Sequence, residues 1–241
     1  MMPMLFAAAA GVVCWTLGLL TRGGSIVAAI VGAAAWEAGR WAWAAPLLIF
    51  FVTSALLSRM GGRRAQTEGG PRNAKQVISN GGPAAVCAVL YTFGPQPALS
   101  AAFLASLCAA NADTWATELG TRLGRKPYRI SNLEPAEGGR SGVVSNLGLL
   151  GAFVGSAAVA SAAPLLDLTA MLPVITVIGF AACLLDSLLG DLAQAVYTDE
   201  GGRLHERPIG KLTRGWRAID NDAVNLLSAA AAAFAGYLLA A

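Results

Sequence analysis

The chain has 241 residues, of which 56% are hydrophobic and 13% charged, with a formal net charge of +3. An average soluble domain carries about 25% charged residues, so the composition excludes an ordinary water-soluble enzyme. Several apolar stretches approach the length of about 20 residues that crosses a bilayer. We therefore expect one integral membrane domain over residues 1–241 and no soluble domain.

The apolar stretches, taken in chain order, predict an all-α, polytopic transmembrane helix bundle of about eight spans, within a range of six to eight. The first has no basic segment before it and is interpreted as an uncleaved helix, not a signal peptide. The second is short and carries Glu37, so it is also compatible with a half-helix. The predicted spans are 3–20, 26–39, 41–57, 77–93, 97–115, 143–163, 170–196 and 223–241.

Basic residues follow the odd-numbered spans. Sixteen of the 17 lie on one side of the predicted bundle, and only Arg40 lies on the other. Because cytoplasmic loops gather lysine and arginine, we expect an even number of spans in the cell (inner) membrane, with the N-terminus outside. The basic residues that carry this expectation are Arg22, Arg59, Arg63, Arg64, Arg72, Lys75, Arg122, Arg125, Lys126, Arg129, Arg140, Arg203, Arg207, Lys211, Arg214 and Arg217.

Cysteine, histidine and small residues narrow the chemistry. The four cysteines each stand alone in an apolar stretch, which predicts neither a disulfide framework nor a zinc site. His205 is the only histidine and lies in a polar connector, so the sequence offers little support for a Ser/His/Asp triad. Gly151 and Gly155, spaced as GxxxG, predict close packing between helices.

Acidic residues inside predicted spans are the main functional signal, since an ionisable group in a membrane is costly and marks a site by default. Asp113 and Glu118 lie in NADTWATELG, and Asp186 and Asp191 lie in DSLLGD. Spans five and seven run in the same direction, so these four acids fall toward the cytoplasmic face. Glu37 lies on the far side.

Other polar residues fall at the same level. They are Asn80 in QVISNGG, Asn111 in span five, Ser187 in span seven, and Asp222 and Asn225 at the start of span eight. Clustered carboxylates suit Mg²⁺, which prefers hard oxygen ligands, and arginines suit phosphates. A structural polar network between the helices remains the alternative interpretation.

Two connectors add candidate phosphate-binding groups. The glycine-rich segment that precedes span six offers backbone N–H groups to a phosphate, although taken alone this signal is weak and favours a flexible loop. Its candidate residues are Gly138, Gly139, Arg140, Ser141 and Gly142. Lys211 lies in the basic segment 203–217, which is either a positive-inside loop or a surface that binds an anionic head group.

The ordered motifs QVISNGG, NADTWATELG, GVVSNLG, DSLLG and NDAVNLLS resemble those of the membrane family that includes the plant phytyl-phosphate kinase of vitamin E synthesis and animal transmembrane protein nineteen. The resemblance covers nearly the whole chain. It implies transfer of a phosphoryl group from a nucleoside triphosphate, CTP more than ATP, to an isoprenoid monophosphate such as phytyl, geranylgeranyl or farnesyl phosphate. The family loop commonly reads GTxGGVS, whereas here it reads GGRSGVV, with Ser141 at the first glycine of the pair.

Carried over by motif, the resemblance implies roles for residues of this chain at a cytoplasmic active site. Asp113, Glu118 and Asp186 would hold Mg²⁺, and Asn111, Asp222 and Asn225 would orient the metal or the nucleotide. Asn80, Ser187 and the glycine-rich segment would complete the nucleotide site, and Lys211 of the basic segment is a further candidate that no family motif carries. The implied partners are the lipid, the nucleotide and the membrane, with no nucleic acid and a homo-oligomer left open. Two alternatives stay open: another lipid-phosphate transferase of the nucleotidyltransferase type, and a proton- or cation-coupled transporter.

Overall fold

The structure, a computed structural model, describes residues 2–60 and 70–241, with no side-chain detail for 2–8 and Met60. Arg63 and Arg64, which contribute to the predicted charge asymmetry, lie outside the described residues. The described part contains eight α-helices. They are α1 (Met2–Thr16), α2 (Arg22–Gly39), α3 (Trp41–Met60), α4 (Ala74–Phe93), α5 (Pro97–Leu123), α6 (Asn146–Ala160), α7 (Leu172–Leu192) and α8 (Asn221–Ala240).

The longer connectors carry the remaining regular structure. Residues 124–145, the α5–α6 connector, contain the antiparallel pair β1 (Tyr128–Arg129) and β2 (Val143–Val144). Residues 193–220, the α7–α8 connector, contain a three-stranded sheet in the order β4-β3-β5, formed by β3 (Val196–Thr198), β4 (Leu204–His205) and β5 (Lys211–Arg214). Two short 3₁₀ segments, Ala163–Leu166 and Thr169–Met171, link α6 to α7.

Helix α5 forms the centre of the bundle, because every residue from Ala98 to Ala112 is buried. It packs against α3, α4, α6, α7 and α8. Large apolar side chains of α5, among them Phe103, Leu104 and Leu107, are fully buried. A helix that is apolar and buried on all sides must be surrounded by other helices, so α5 positions the elements that carry the site.

Helix α6 packs on α5 through glycines, which confirms the packing predicted from the GxxxG spacing. A Cβ atom added at Gly155 would lie 2.7 Å from the Trp115 ring, and one added at Gly151 would lie 3.0 Å from the Trp115 carbonyl oxygen. Gly148 approaches the backbone of α5 in the same way. Small residues on α6 therefore allow the two backbones to approach closely.

Contacts between helix ends gather the odd-numbered helix C-termini at one end of the bundle, which we call the connector end. Arg59 at the end of α3 donates to the Leu17 carbonyl after α1 over 2.7 Å. Arg122 at the end of α5 donates to carbonyl groups at the end of α3. Lys75 at the start of α4 forms an ion pair with Asp220 before α8. The longer connectors therefore lie at the same end as the polar motifs.

The helix boundaries differ from the predicted spans at this end. α5 continues to Leu123, where its last turns pack against Ser145 and Gly148. Val143 and Val144 form strand β2, and α6 begins only after the Ser145 N-cap, which accepts from Gly148 N–H. Val196 lies in β3, not in α7. Apolar residues in a short strand and in a helix give the same local signal, which explains these errors.

Fewer of the described helices meet the length and composition of a membrane span than the eight spans that the sequence predicted. In the described residues, three helices are long and apolar enough to cross a membrane: Trp41–Arg59, Thr169–Leu192 and Asn221–Ala240. Asn146–Ala160 is apolar but shorter. The eight helices thus match the predicted number of elements, while eight complete spans remain a prediction.

Candidate functional site

Asp113 of α5 and Asp186 of α7 form the core of the candidate site. Asp186 is buried and accepts a hydrogen bond of 2.8 Å from the Ser228 hydroxyl of α8 at Oδ2. The carboxylates of Asp113 and Asp186 are close enough for their charges to interact. By helical rise, Asp186 lies about 9 Å before the end of α7. Three helices therefore bring acidic and hydroxyl oxygens together well inside the bundle.

Arg72, in the segment before α4, supplies positive charge beside these acids. Its backbone N–H donates to the Leu19 carbonyl and its carbonyl accepts from Thr21 N–H, both over 3.0 Å. Burial lowers the pKa of the Arg72 guanidinium, and the charges of Glu118 and Asp113 oppose that shift. The backbone is thus fixed against the α1–α2 connector while the side chain extends toward two carboxylates.

Glu118 lies on the side of α5 that faces α3. Its Oε1 atom accepts from the Ser58 hydroxyl over 2.6 Å, and its Oε2 atom forms an ion pair with Arg122 one turn later. Both carboxylate oxygens are therefore already bonded. The structure places Glu118 near Arg72 but holds it in an interaction with α3.

Asn111 is fully buried and links three helices. Its Oδ1 atom accepts from the hydroxyls of Thr53 and Ser54, each over 3.1 Å, and its Nδ2 atom donates to the Gly155 carbonyl over 2.7 Å. These bonds use most of the capacity of the amide. The predicted role of Asn111 in orienting metal or nucleotide stays a prediction, and its bonds favour a positioning role.

The starts of α4 and α8 lie side by side. Lys75 bonds to Asp220 and lies 3.6 Å from Asp222. Asp220 caps α8 by accepting from Ala223 N–H over 3.0 Å. Burial of Asp220 raises the pKa of its carboxyl, but the hydrogen bonds from Lys75 and from the backbone outweigh burial and lower it overall. This arrangement keeps Asp220 ionised and α8 fixed to α4.

Three further predicted residues, on α8, α4 and α7, make few side-chain hydrogen bonds in the described part of the chain. Asn225 is buried on the turn between Asp222 and Ser228 of α8, and within the described residues its side chain makes no hydrogen bond. Asn80 donates to the Gln76 carbonyl of its own helix over 2.9 Å. Ser187 follows Asp186 and is partly buried.

The glycine-rich segment docks on the last turn of α7. Gly142 has φ of +82°, and a Cβ there would lie 2.3 Å from the Cβ of Asp191, so only glycine fits. Ser141 N–H donates to Glu206 Oε1 over 2.8 Å, and Glu206 Oε2 accepts from Gln194. The Ser141 amide is thus bonded within the protein instead of pointing freely outward.

The remaining loop candidates are exposed. Gly138 and Gly139 lie at the surface, and the side chain of Arg140 forms an ion pair with Glu137 over 2.6 Å. Lys211 lies on β5 and points to solvent. None of these four residues forms a hydrogen bond with Asp113 or Asp186 in the described part of the chain.

The predicted metal set is only partly assembled. Among the described residues, no group of three His, Cys, Asp or Glu side chains lies close enough to hold a metal ion. Glu118 is bonded to α3 and Arg122, so the interacting acids are Asp113 and Asp186. Mg²⁺ usually takes one or two protein carboxylates together with waters and substrate phosphates. The Asp113–Asp186 pair with the Ser228 hydroxyl fits that pattern.

Two residues of this region, Ser228 and Arg72, were not singled out by the sequence as members of the site. Ser228 belongs to an alanine-rich helix, where a small residue indicates helix packing, and only the structure shows its hydrogen bond to Asp186. Arg72 was counted only as one of the 16 basic residues on one side of the predicted bundle, and nothing in the sequence distinguished it from the others. Asp191 was expected to lie with the other acids, but it is bonded to arginines of both connectors. Only the spacing of Asn225 and Ser228, three apart on one helix face, offered a sequence signal for Ser228.

Comparison with known proteins places the chain among integral membrane proteins. A family model described as Integral membrane protein DUF92 matches residues 5–233. An uncharacterized membrane protein of Synechocystis is 30% identical over 151 residues, which span 59% of this chain and 58% of that protein. Protein PGR of Arabidopsis thaliana is 30% identical over 224 residues, which span 77% of each chain. An uncharacterized membrane protein of Methanocaldococcus jannaschii is 33% identical over 113 residues, which span 46% of this chain and 47% of that one. No solved structure matches.

Proposed function

This chain belongs to the integral membrane protein family DUF92, and we propose that it is a kinase that transfers a phosphoryl group from a nucleoside triphosphate to an isoprenoid monophosphate. CTP is the preferred donor and ATP the alternative. The observation that carries the proposal is the pair of acids, Asp113 and Asp186, on two separate helices, with Arg72 beside Asp113. The motif resemblance supports the choice of substrate.

The proposed reaction does not require a strong general acid or base among the side chains. The acceptor is already a phosphate anion, so no strong general base is needed, and catalysis consists of positioning and charge neutralisation. This agrees with a chain that has a single histidine. A bound Mg²⁺ would neutralise charge on the transferred phosphoryl group.

Each residue of the site has a defined task in this proposal. Asp113 and Asp186 hold the metal, and Ser228 fixes the orientation of Asp186 by its hydrogen bond. Arg72 offsets the charge of the phosphates. Asn225, whose amide is not bonded to the protein in the described region, is available to the nucleotide.

The remaining elements determine access. The isoprenoid tail would lie between apolar helices and enter sideways from the bilayer, while the nucleotide would enter from the connector end. Eight spans with the connector end in the cytoplasm of a cell (inner) membrane complete the proposal. That arrangement agrees with the basic residues at this end of the bundle.

Product analysis tests the reaction class. Purified protein in detergent is incubated with Mg²⁺, CTP or ATP, and phytyl, geranylgeranyl or farnesyl monophosphate. A kinase releases a nucleoside diphosphate and forms the prenyl diphosphate. Release of pyrophosphate would instead indicate a nucleotidyltransferase, and absence of transfer with every pair would favour a transporter.

A further inference from the structure

A second charged cluster lies at the last turn of α7, apart from the Asp113–Asp186 pair. The Asp191 side chain is only 1% exposed and receives Nη1 of Arg129 at 2.6 Å and Nη1 of Arg214 at 3.1 Å, both at Oδ1. Ser131 N–H lies 3.4 Å from its Oδ2 atom. Arg129 belongs to the α5–α6 connector and Arg214 to the α7–α8 connector, so the cluster forms only in the folded chain.

The cluster carries more positive than negative charge. One buried carboxylate requires one cation for compensation, and here two guanidinium groups converge on the same oxygen. Their side chains remain 38% and 33% exposed. The two guanidinium groups and the Asp191 carboxylate together carry a net charge of about +1, so the cluster attracts an anion.

Both arginines also retain hydrogen-bond donors. A guanidinium has five N–H donors, and each of these side chains gives one to Asp191. The Nε atom of Arg214 is buried and has no hydrogen-bond partner among the residues that the structure describes. A buried unpaired donor is costly, and planar arginine donors match phosphate oxygens.

The cluster lies beside the glycine-rich segment. The Gly142 backbone packs directly on Asp191, and the Ser141 Cβ would lie 3.2 Å from a Cβ added at Gly190. The α7 turn that holds both arginines therefore also holds the segment predicted to bind phosphate. Asp186 lies on a different face of α7, because five residues correspond to a rotation of about 140° beyond a full turn.

We infer that Arg129 and Arg214, held together by Asp191, form a binding site for a phosphate group at the connector end. The ligand is a phosphoryl group of a soluble nucleotide or of an anionic lipid head group, which share this chemistry. Asp191 is a positioning residue, because it orients the two arginines. The inference deepens the proposed function and rests on it for the identity of the soluble ligand.

Binding measurements test the site without depending on turnover. The full chain in nanodiscs of phosphatidylcholine is titrated with inorganic pyrophosphate and with CTP by calorimetry. The double variant Arg129→Gln with Arg214→Gln is compared with Arg125→Gln and Arg217→Gln, which remove two exposed arginines that form no ion pair in the described structure. We expect at least tenfold weaker binding in the first pair and less than twofold change in the control pair.

A lipid-binding measurement distinguishes a lipid head group from a soluble nucleotide as the ligand. If the ligand is a head group, wild-type protein retains phosphatidylglycerol in native mass spectra and the Arg129→Gln, Arg214→Gln variant loses it, while pyrophosphate binds both weakly. Equal binding of pyrophosphate, CTP and phosphatidylglycerol by the double variant and the control overturns the inference. If the glutamine variants do not fold, Arg129→Lys with Arg214→Lys keeps the ion pairs, loses the forked donors and is judged by the same criterion.

Different experimental results would contradict the proposed kinase activity and the proposed phosphate-binding site. Absence of phosphoryl transfer in wild-type protein, combined with loss of anion binding in the double variant, would contradict the kinase and retain the site. Phosphoryl transfer with unchanged anion binding in the double variant would retain the kinase and contradict the site.

Discussion

At the scale of single residues, polar side chains on α5 differ in function according to their partners. The Asn111 amide bonds to α3 and to the Gly155 carbonyl, and the Glu118 carboxylate bonds to α3 and to Arg122. Asp113, in contrast, interacts with the charges of Arg72 and Asp186. Asn111 and Asp113 are two positions apart on a helix and therefore face opposite sides. The hydrogen bonds of Asn111 and Glu118 hold neighbouring helices together, and we propose that the two interacting acids carry the chemistry.

Asp186→Asn tests this assignment. The amide keeps the shape and accepts from Ser228, but it removes the charge that would hold a metal. We expect phosphoryl transfer to fall at least a thousandfold, with unchanged thermal stability in detergent. Asp167→Asn is the matched control, because Asp167 is exposed and has φ of +58°, a conformation that asparagine tolerates. Transfer above a tenth of the wild-type rate in Asp186→Asn would contradict the assignment.

Asn111→Ala tests the structural role of the buried amide. It removes three side-chain bonds between helices, and interhelical hydrogen bonds in membranes average about 0.6 kcal/mol, so we expect a loss of about 2 kcal/mol in the free energy of unfolding. Steric trapping in bilayers would measure it. Asn146→Ala, at an exposed position at the start of α6, should change stability little. Equal stability of the two variants would contradict this role.

At the scale of elements, the sequence predicted the helices well and their ends less well. Apolar runs and the glycine spacing were sufficient for the order of helices and for the packing of α6 on α5. The short strands β1 and β2 pair residues 14 and 16 positions apart in the chain, and local periodicity carries no information about such pairs. For the same reason, the bond between Asp186 and Ser228 required the fold, since their contact depends on how α7 and α8 pack.

Gly155→Ala tests the packing of α6 on α5. A methyl group there would lie 2.7 Å from the Trp115 ring and 3.1 Å from the Asn111 carbonyl oxygen. We expect a loss of about 1–3 kcal/mol from overpacking, measured by unfolding in detergent. Gly82→Ala is the control, because its methyl group would meet only Ile78 at 3.7 Å. A Gly155→Ala protein as stable as the control would contradict the close approach.

The α7–α8 connector carries a pH-dependent contact. The hydrogen bond from His205 is the main cause that lowers the pKa of Asp199 below its usual 3.8, with the Arg203 and Gly201 backbone N–H groups adding to it. Because the folded-state pKa is lowered, the contact stabilises the connector above pH 3.8 and is lost as pH falls through the folded value. Carbon-13 NMR titration of the Asp199 carboxyl should show a higher pKa in His205→Ala. Identical titration curves would contradict the contact.

At the scale of the whole molecule, the positions of the basic residues and of the helix ends favour the same orientation in the membrane. The connector end holds the ends of α1, α3, α5 and α7 and the starts of α4 and α8. The sequence predicted this gathering from the positions of lysine and arginine alone. The sequence did not identify which acids interact with one another. Five acidic residues lie in the motifs and many basic residues lie at the same end, and only the fold determines which of them are in contact.

Accessibility labelling tests the orientation. In a variant whose four cysteines are replaced, Glu200→Cys and Gln96→Cys place single thiols at exposed positions in the α7–α8 connector and before α5. With a cytoplasmic connector end, an impermeant maleimide added to intact cells should label only Gln96→Cys. Labelling of Glu200→Cys before lysis would contradict the proposed orientation.

The most direct test of the central claim is transfer of label from γ-phosphate-labelled CTP to an isoprenoid monophosphate by the purified chain with Mg²⁺. Wild-type protein and Asp113→Asn are compared under identical conditions, with folding verified by gel filtration. We expect labelled prenyl diphosphate with the wild type and none above background with Asp113→Asn. Equal transfer by the folded variant, or no transfer by the wild type with any acceptor and donor, would contradict the claim.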